Sequence, residues 1–130
     1  ASLERASEAV VPTTRLSQVD AAYWCRIDDR THLRWVLPDD EAPLLDALAR
    51  LHAARELGLG DGTKYVGAFR AMGLVVPVWD LAPGTDASAV EEPVAALRKR
   101  LDDALAERSP LTPAQRRSRA GLLSRQVTLR

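Results

Sequence analysis

Polar and apolar residues alternate with period two from Ala21 to Pro38. Tyr23, Cys25 and Ile27 alternate with Trp24 and Arg26, and Leu33, Trp35 and Leu37 alternate with His32, Arg34 and Val36. Two such runs in succession predict a hairpin. Residues directly opposite each other share a face, so the pattern predicts a register setting Tyr23, Cys25 and Ile27 against Leu33, Trp35 and Leu37, around a loop at Asp29, Arg30 and Thr31. After Pro38 the period changes. Leu44, Leu48 and Leu51 recur at helical spacing, Asp39 or Asp40 stands where an N-cap belongs, Glu41 follows, and Gly58 marks the expected stop.

The stretch from Thr63 to Leu81 admits a helix capped by Gly73 or two strands turning at Met72-Gly73. Its first half is Thr, Tyr, Val, Gly and Phe, mediocre to poor helix formers that strands mostly favour, so the composition predicts a second hairpin after a turn at Gly58 to Gly62. Laid on the first hairpin, Tyr65 falls on Tyr23 and Trp79 on Trp35. Each hairpin follows a helical pattern, SLERASEAV from Ser2 to Val10 and LLDALARLHAAREL from Leu44 to Leu57.

The chain therefore reads as an α+β fold of two helix-hairpin units, a degenerate internal duplication building a four-stranded, largely antiparallel sheet covered by helices. Pro77 cannot donate to a ladder, so its strand is expected at an edge or with the proline on the unpaired side, and Gly67 is expected at a bulge or a close contact. Two helices end the chain. Val94, Leu97, Leu101 and Leu105 form the stripe of the first, with Pro93 suited to its first turn and Ser88 with Glu91 available as a capping box for an earlier, kinked start. Thr112, Pro113 and Gln115 form a cleaner box for the second, and the tail Gln126 to Arg130 alternates.

Composition narrows the partners. The 130 residues suit one domain, 1–130, and the 18 basic side chains match the 18 acidic ones, leaving no global field to select nucleic acid or an anionic membrane. The longest apolar run, Leu74 to Val78, is too short to cross a bilayer, so no membrane partner is expected. Cys25 is the only cysteine and the opening ten residues are too polar for a signal peptide, which predicts a cytoplasmic protein without disulfides. The chain starts without Met inside an amphipathic segment, as the C-terminal domain of a longer protein would. Its excess of Arg over Lys and its abundant Ala fit a GC-rich coding sequence.

DAAYWCRIDDRTHLRWVLP, LLDALARLHAARELGLGDGT, GAFRAMGLVVPVWDL and RAGLLSRQVTLR together resemble the C-terminal part of an uncharacterised actinobacterial family, a domain of unknown function, over nearly the whole chain. That resemblance implies no activity and no catalytic residues. Longer relatives carry an N-terminal cysteine-rich zinc motif like that at the C-terminus of the translocation ATPase SecA. The motif is absent from this sequence, so neither zinc nor translocation is implied for it.

The candidate chemistry is sparse. Cys25 and His32 lie on facing arms of a hairpin, but the expected register puts them on opposite faces, with Cys25 buried and unreactive. One Cys and two His, His32 and His52, offer no metal-ligand spacing. Asp28-Asp29 suits a turn, Asp39-Asp40-Glu41 a helix start, and GLGDG follows a helix, the reverse of a phosphate loop. No catalytic, cofactor or metal residue is therefore expected. Trp24, Arg26, Arg34, Arg70 and Trp79 are expected to line exposed sheet faces, the composition that partner binding or base stacking uses. Acids exceed bases from Asp20 to Asp61, whereas Thr112 to Arg130 holds Arg116, Arg117, Arg119, Arg125 and Arg130 and no acid, within a basic C-terminal segment, 109–130. These features predict a non-enzymatic protein-interaction module of a larger cytosolic protein, of undefined oligomeric state, touching its partner through Trp24, Arg34 and the basic arginines. The alternative is an RNA- or ribosome-associated module using the basic segment.

Overall fold

A computed structural model describes residues 13–123. Its elements are β1 (Thr13–Arg15), β2 (Ala22–Ile27), β3 (Arg30–Trp35), α1 (Glu41–Ala53), β4 (Lys64–Ala71), β5 (Leu74–Asp80), α2 (Ala87–Ala106) and α3 (Pro113–Gly121). The five strands form one antiparallel sheet in the order β1-β2-β3-β5-β4. The architecture is α+β, as the pattern predicts, with one strand more than the four expected. The three-residue TTR of β1 carries no apolar alternation to reveal it. The helix expected over Ser2 to Val10 and the alternating tail from Gln126 lie outside the described residues.

Both hairpins form where alternation places them, but the first has a different register. Asp28-Asp29 make a two-residue connection closed by the pair Ile27–Arg30, with Asp28 at φ 59°. The loop is one residue shorter than expected and lies earlier in the chain, so the pairing slips by three positions, an odd number that changes the faces: Trp24 faces Leu33, Ala22 faces Trp35, and Cys25 faces His32. Tyr23 consequently points away from the helices. Tyr65 stacks edge-on against Trp79 with ring centroids 5.6 Å apart, on the helix side, so the expected equivalence of Tyr23 and Tyr65 fails.

Pro77 is not on an edge strand, because β5 lies between β3 and β4. It falls where pairing with β3 stops at Arg34–Val78 and resumes only at the bridge Leu37–Val75, so the gap in the ladder accommodates the missing N–H. Gly67, at φ 151°, sits at the register shift after Tyr65, as a bulge requires.

The helices depart from expectation mainly at their ends. α1 stops at Ala53, before Gly58, because Arg55 takes the left-handed conformation at φ 62°. The Glu56 amide donates to the Leu51 carbonyl and the Arg55 amide to that of His52, a complete Schellman motif built on an arginine. The early stop lets Leu57 and Leu59 turn into the core, where they are 3% exposed. α2 takes the earlier start with Pro93 inside it, but Glu91 does not cap Ser88; its carboxylate reaches the β1–β2 connection instead. α3 has the expected box, with Thr112 and Gln115 bonded reciprocally and Pro113 in the first turn.

One core results. Leu33, Trp35, Leu37, Val75 and Trp79 from one sheet face cluster with Leu44, Leu48 and Leu51 of α1, Val90, Val94, Leu97 and Leu101 of α2, and Leu122 after α3. The Tyr65 hydroxyl is buried against this layer without a hydrogen-bond partner, and burial pushes its pKa well above the ordinary 10.0. A buried unpaired hydroxyl costs about 1–3 kcal/mol, so Tyr65→Phe is expected to stabilise the fold by about 1 kcal/mol, read as a higher denaturant midpoint at constant m-value.

Candidate interaction surface

The slipped register of the first hairpin creates a second sheet face with its own composition. One row across all five strands runs Arg15, Tyr23, Arg34, Val78, Gly67, and the next runs Thr13, Cys25, His32, Asp80, Lys64. Ile27 and Arg30 continue it at one end, Val76 and Phe69 at the other. None of these residues belongs to the helix-side cluster, and none of the described helices packs on them. Arg15, Arg30, Arg34 and Lys64 are exposed, and Tyr23, Phe69 and Val78 are half-buried. Ile27 is 48% exposed, a large apolar side chain at the rim.

The one acid in those rows, Asp80, is occupied. Its carboxylate lies 2.8 Å from Nδ1 of His32, its direct cross-strand neighbour. His32 also lines a shallow cavity of about 240 Å³ with Asp29, Arg30 and Pro83. Cys25 is on the same face as His32, correcting the expectation that the two are separated. Its thiol, in a residue 5% exposed, contacts the His32 main-chain carbonyl at 3.8 Å. The side chains thus make separate contacts, the imidazole with Asp80 and the thiol with backbone. Among the described residues no group of three or more His, Cys, Asp or Glu side chains is placed to hold a metal ion.

The expected partner-binding residues divide among three places. Arg34 lies exposed at the centre of the cationic face. Trp24 is on the opposite, helix-side face, half-buried, its indole N–H donated to the Thr85 carbonyl at 2.9 Å. Trp79, expected at a surface, is 0% exposed. Arg26 is exposed at the end of β2, and Arg70 pairs with Glu41 at the start of α1. In the basic segment, Arg119 pairs with Asp46 of α1 at 2.6 Å, Arg116 donates to the Leu111 carbonyl, and exposed Arg117 has neither a hydrogen bond nor an ion pair with a described residue. Arg125 lies outside the described residues. Sequence reasoning missed Tyr23, Phe69, Arg15, Arg30 and Lys64 as neighbours of Arg34. The signal available was the Asp-Asp pair, which as a two-residue turn sets all of the β2–β3 register.

On the helix side, Glu91 fastens the β1–β2 connection to α2. It accepts from the Ser17 amide at 2.9 Å, the Gln18 amide at 2.9 Å and the Ser17 hydroxyl at 3.2 Å. The Ser17 amide bond is the main cause holding Glu91 below its ordinary 4.5; slight desolvation opposes it, and the Gln18 amide and Ser17 hydroxyl add to it. A lowered carboxylate pKa stabilises the folded state above the unfolded value, and that contribution disappears as pH falls through the folded value. The Ser17 and Gln18 amide resonances are expected to shift together on acidification below about pH 4.5, and to be pH-independent there in Glu91→Gln.

No helix among the described residues is long and apolar enough to cross a membrane. A family model, DUF5926, described as a family of unknown function, matches residues 1–130. No curated protein and no solved structure matches the chain.

Proposed function

The chain belongs to that family of unknown function, and from its surfaces we propose that it is a non-enzymatic protein-interaction module of the reducing cytosol, contacting its partner through the sheet face around Arg34. The single observation that carries this reading is the composition of that face. Tyr23, Phe69, Val78 and Ile27 supply apolar area among four exposed cations, and the only acid in the rows is already paired with His32. Aromatic and arginine side chains supply most of the binding free energy at protein interfaces, and a one-signed field selects partners bearing the opposite charge. The test is photo-crosslinking in cells from a diazirine amino acid at position 27 or 69, with exposed Lys99 on α2 as the control position. Discrete protein adducts from 27 and 69 but not from 99 are the expected outcome; identical adducts from all three, or none, would defeat the reading.

RNA association through the basic segment is the second reading, favoured by Arg116 and Arg117, exposed on α3 with no carboxylate partner among the described residues. Each phosphate neutralised on single-stranded RNA contributes a slope of about −0.7 in log affinity against log salt, so Arg116→Ala with Arg117→Ala is expected to reduce the slope by about 1.4. RNA titrations showing no binding at low salt would remove this reading and leave the first untouched.

A further inference from the structure

The nine residues of α3 bury none of their own side chains, yet the helix lies packed on α1. What holds it there is polar and near the surface. Arg119 Nε donates to Asp46 Oδ1 at 2.6 Å with the two side chains 36% and 46% exposed, and Ser118 Oγ lies 3.0 Å from His52 Nδ1. The deep anchor follows the helix: Leu122 is 2% exposed in the core, and its main-chain carbonyl accepts the Ala68 amide of β4 at 3.1 Å. We infer that α3 and Leu122 form a releasable latch, which opens as one unit from an otherwise folded protein and, while closed, covers the β4 edge and keeps Arg119 from any outside anion.

The contacts make this opening separable from unfolding. The connection from α2, residues 107–112, has no helix or strand of its own and is exposed except at half-buried Leu111, so it can act as the hinge, tied only where Arg50 donates to the Ser109 carbonyl. Exposed ion pairs and hydrogen bonds contribute little against the water that replaces them, which leaves Leu122 to set most of the closed bias. A helix of nine residues does not persist alone in water, so α3 melts when it leaves α1 and its amides become exchangeable. The sheet loses little. β4 is the outermost strand, and successive residues of an antiparallel strand point their amides to alternate sides, so Ala68 faces outward to Leu122 whereas Phe69, opposite Val76, faces β5 and stays bonded.

Amide hydrogen exchange of the complete chain, followed by NMR, tests the latch. Ala68 should share one opening constant with the Arg116 and Leu122 amides, about 100-fold or more above that of Phe69. Leu33→Ala, on β3 and two strands from β4, weakens the open and closed states alike. It should speed Phe69 at least about tenfold and leave Ala68, Arg116 and Leu122 within about twofold; Leu33→Val makes the same comparison if the alanine variant does not fold. Asp46→Asn weakens only the closed state, so it should speed Ala68, Arg116 and Leu122 by one common factor of about two to five. Ala68 exchanging in step with Phe69 in every variant would overturn the inference, because α3 would then leave only with the whole fold. An Ala68 rate unmoved in Asp46→Asn while Arg116 speeds up would equally overturn it. One consequence rests on the RNA reading and fails separately from it. Poly(U) binding should show a salt slope steeper by about 0.7 in Asp46→Asn, the share of one more phosphate contact, and adding Arg119→Ala should restore the original slope. An unchanged slope would show that Asp46 withholds nothing, whereas absence of poly(U) binding in every variant would remove the RNA reading and leave the exchange rates to decide the latch.

Discussion

Trp79→Ala is expected to destabilise the protein by about 3–5 kcal/mol, a large share of the roughly 5–15 kcal/mol that holds a domain of this kind together. Trp79 is fully buried at the centre of the sheet, packed against Trp35 at 6.3 Å and Tyr65 at 5.6 Å between ring centroids. Its indole N–H also donates to the Leu57 carbonyl at 2.7 Å, which fixes the irregular segment that follows α1. Removing the ring leaves a cavity that the flanking aromatics cannot collapse into, and it orphans that carbonyl. Trp79→Phe should cost less, because it keeps most of the volume and loses chiefly the hydrogen bond. Guanidinium unfolding monitored by far-UV circular dichroism checks both. A loss below about 1.5 kcal/mol for the alanine variant would contradict this account of the core.

The second large effect is expected on the opposite face. Val76→Asp should cost about 3 kcal/mol or more, because a carboxylate placed at a position 2% exposed would face Phe69 across the strand pair, with no cation directly opposite to compensate it. Val78→Asp, two residues along and half-buried, stands next to Arg34 and should cost under about 1 kcal/mol. The contrast is the measurement. Equal melting temperatures for the two variants would show that the sheet has no second buried layer at Val76.

The sequence made the elements legible wherever a local rule governs them. Period-two alternation located both hairpins, and Thr112, Pro113 and Gln115 located the start of α3. What it did not reveal depended on contacts between distant segments. The β2–β3 register turned on whether Asp28-Asp29 alone or a longer loop closed the hairpin, and both options keep an alternating pattern; only the packing of Leu33 and Trp35 beside Ala22 and Trp24 decides. The end of α1 was hidden because an arginine, not a glycine, adopts the left-handed cap, compensated by the insertion of Leu57 and Leu59. The role of Glu91 was hidden for the same reason, since its partners are more than 70 residues away. At the surface, Arg34 was visible as an exposed cation, but its grouping with Tyr23, Arg15 and Lys64 required the strand order.

That strand order also divides the assembly of the protein into fast and slow events. β2 with β3, and β4 with β5, are joined by two-residue turns, so each pair closes at small loop entropy on the microsecond scale. The β3–β5 seam is different: His32 and Asp80 are 48 residues apart, with α1 threaded between them, and nothing local brings them together. Docking of the preformed hairpins along this seam is the step with the highest contact order and the expected rate limit. Substitutions at Leu33 should then slow refolding, and those in the β4–β5 turn should act mainly on unfolding, as chevron plots of Leu33→Ala and Gly73→Ala will register. Until the seam closes, two hairpins with unpaired edges coexist, and the time the chain spends in that state sets its exposure to edge-to-edge association during synthesis.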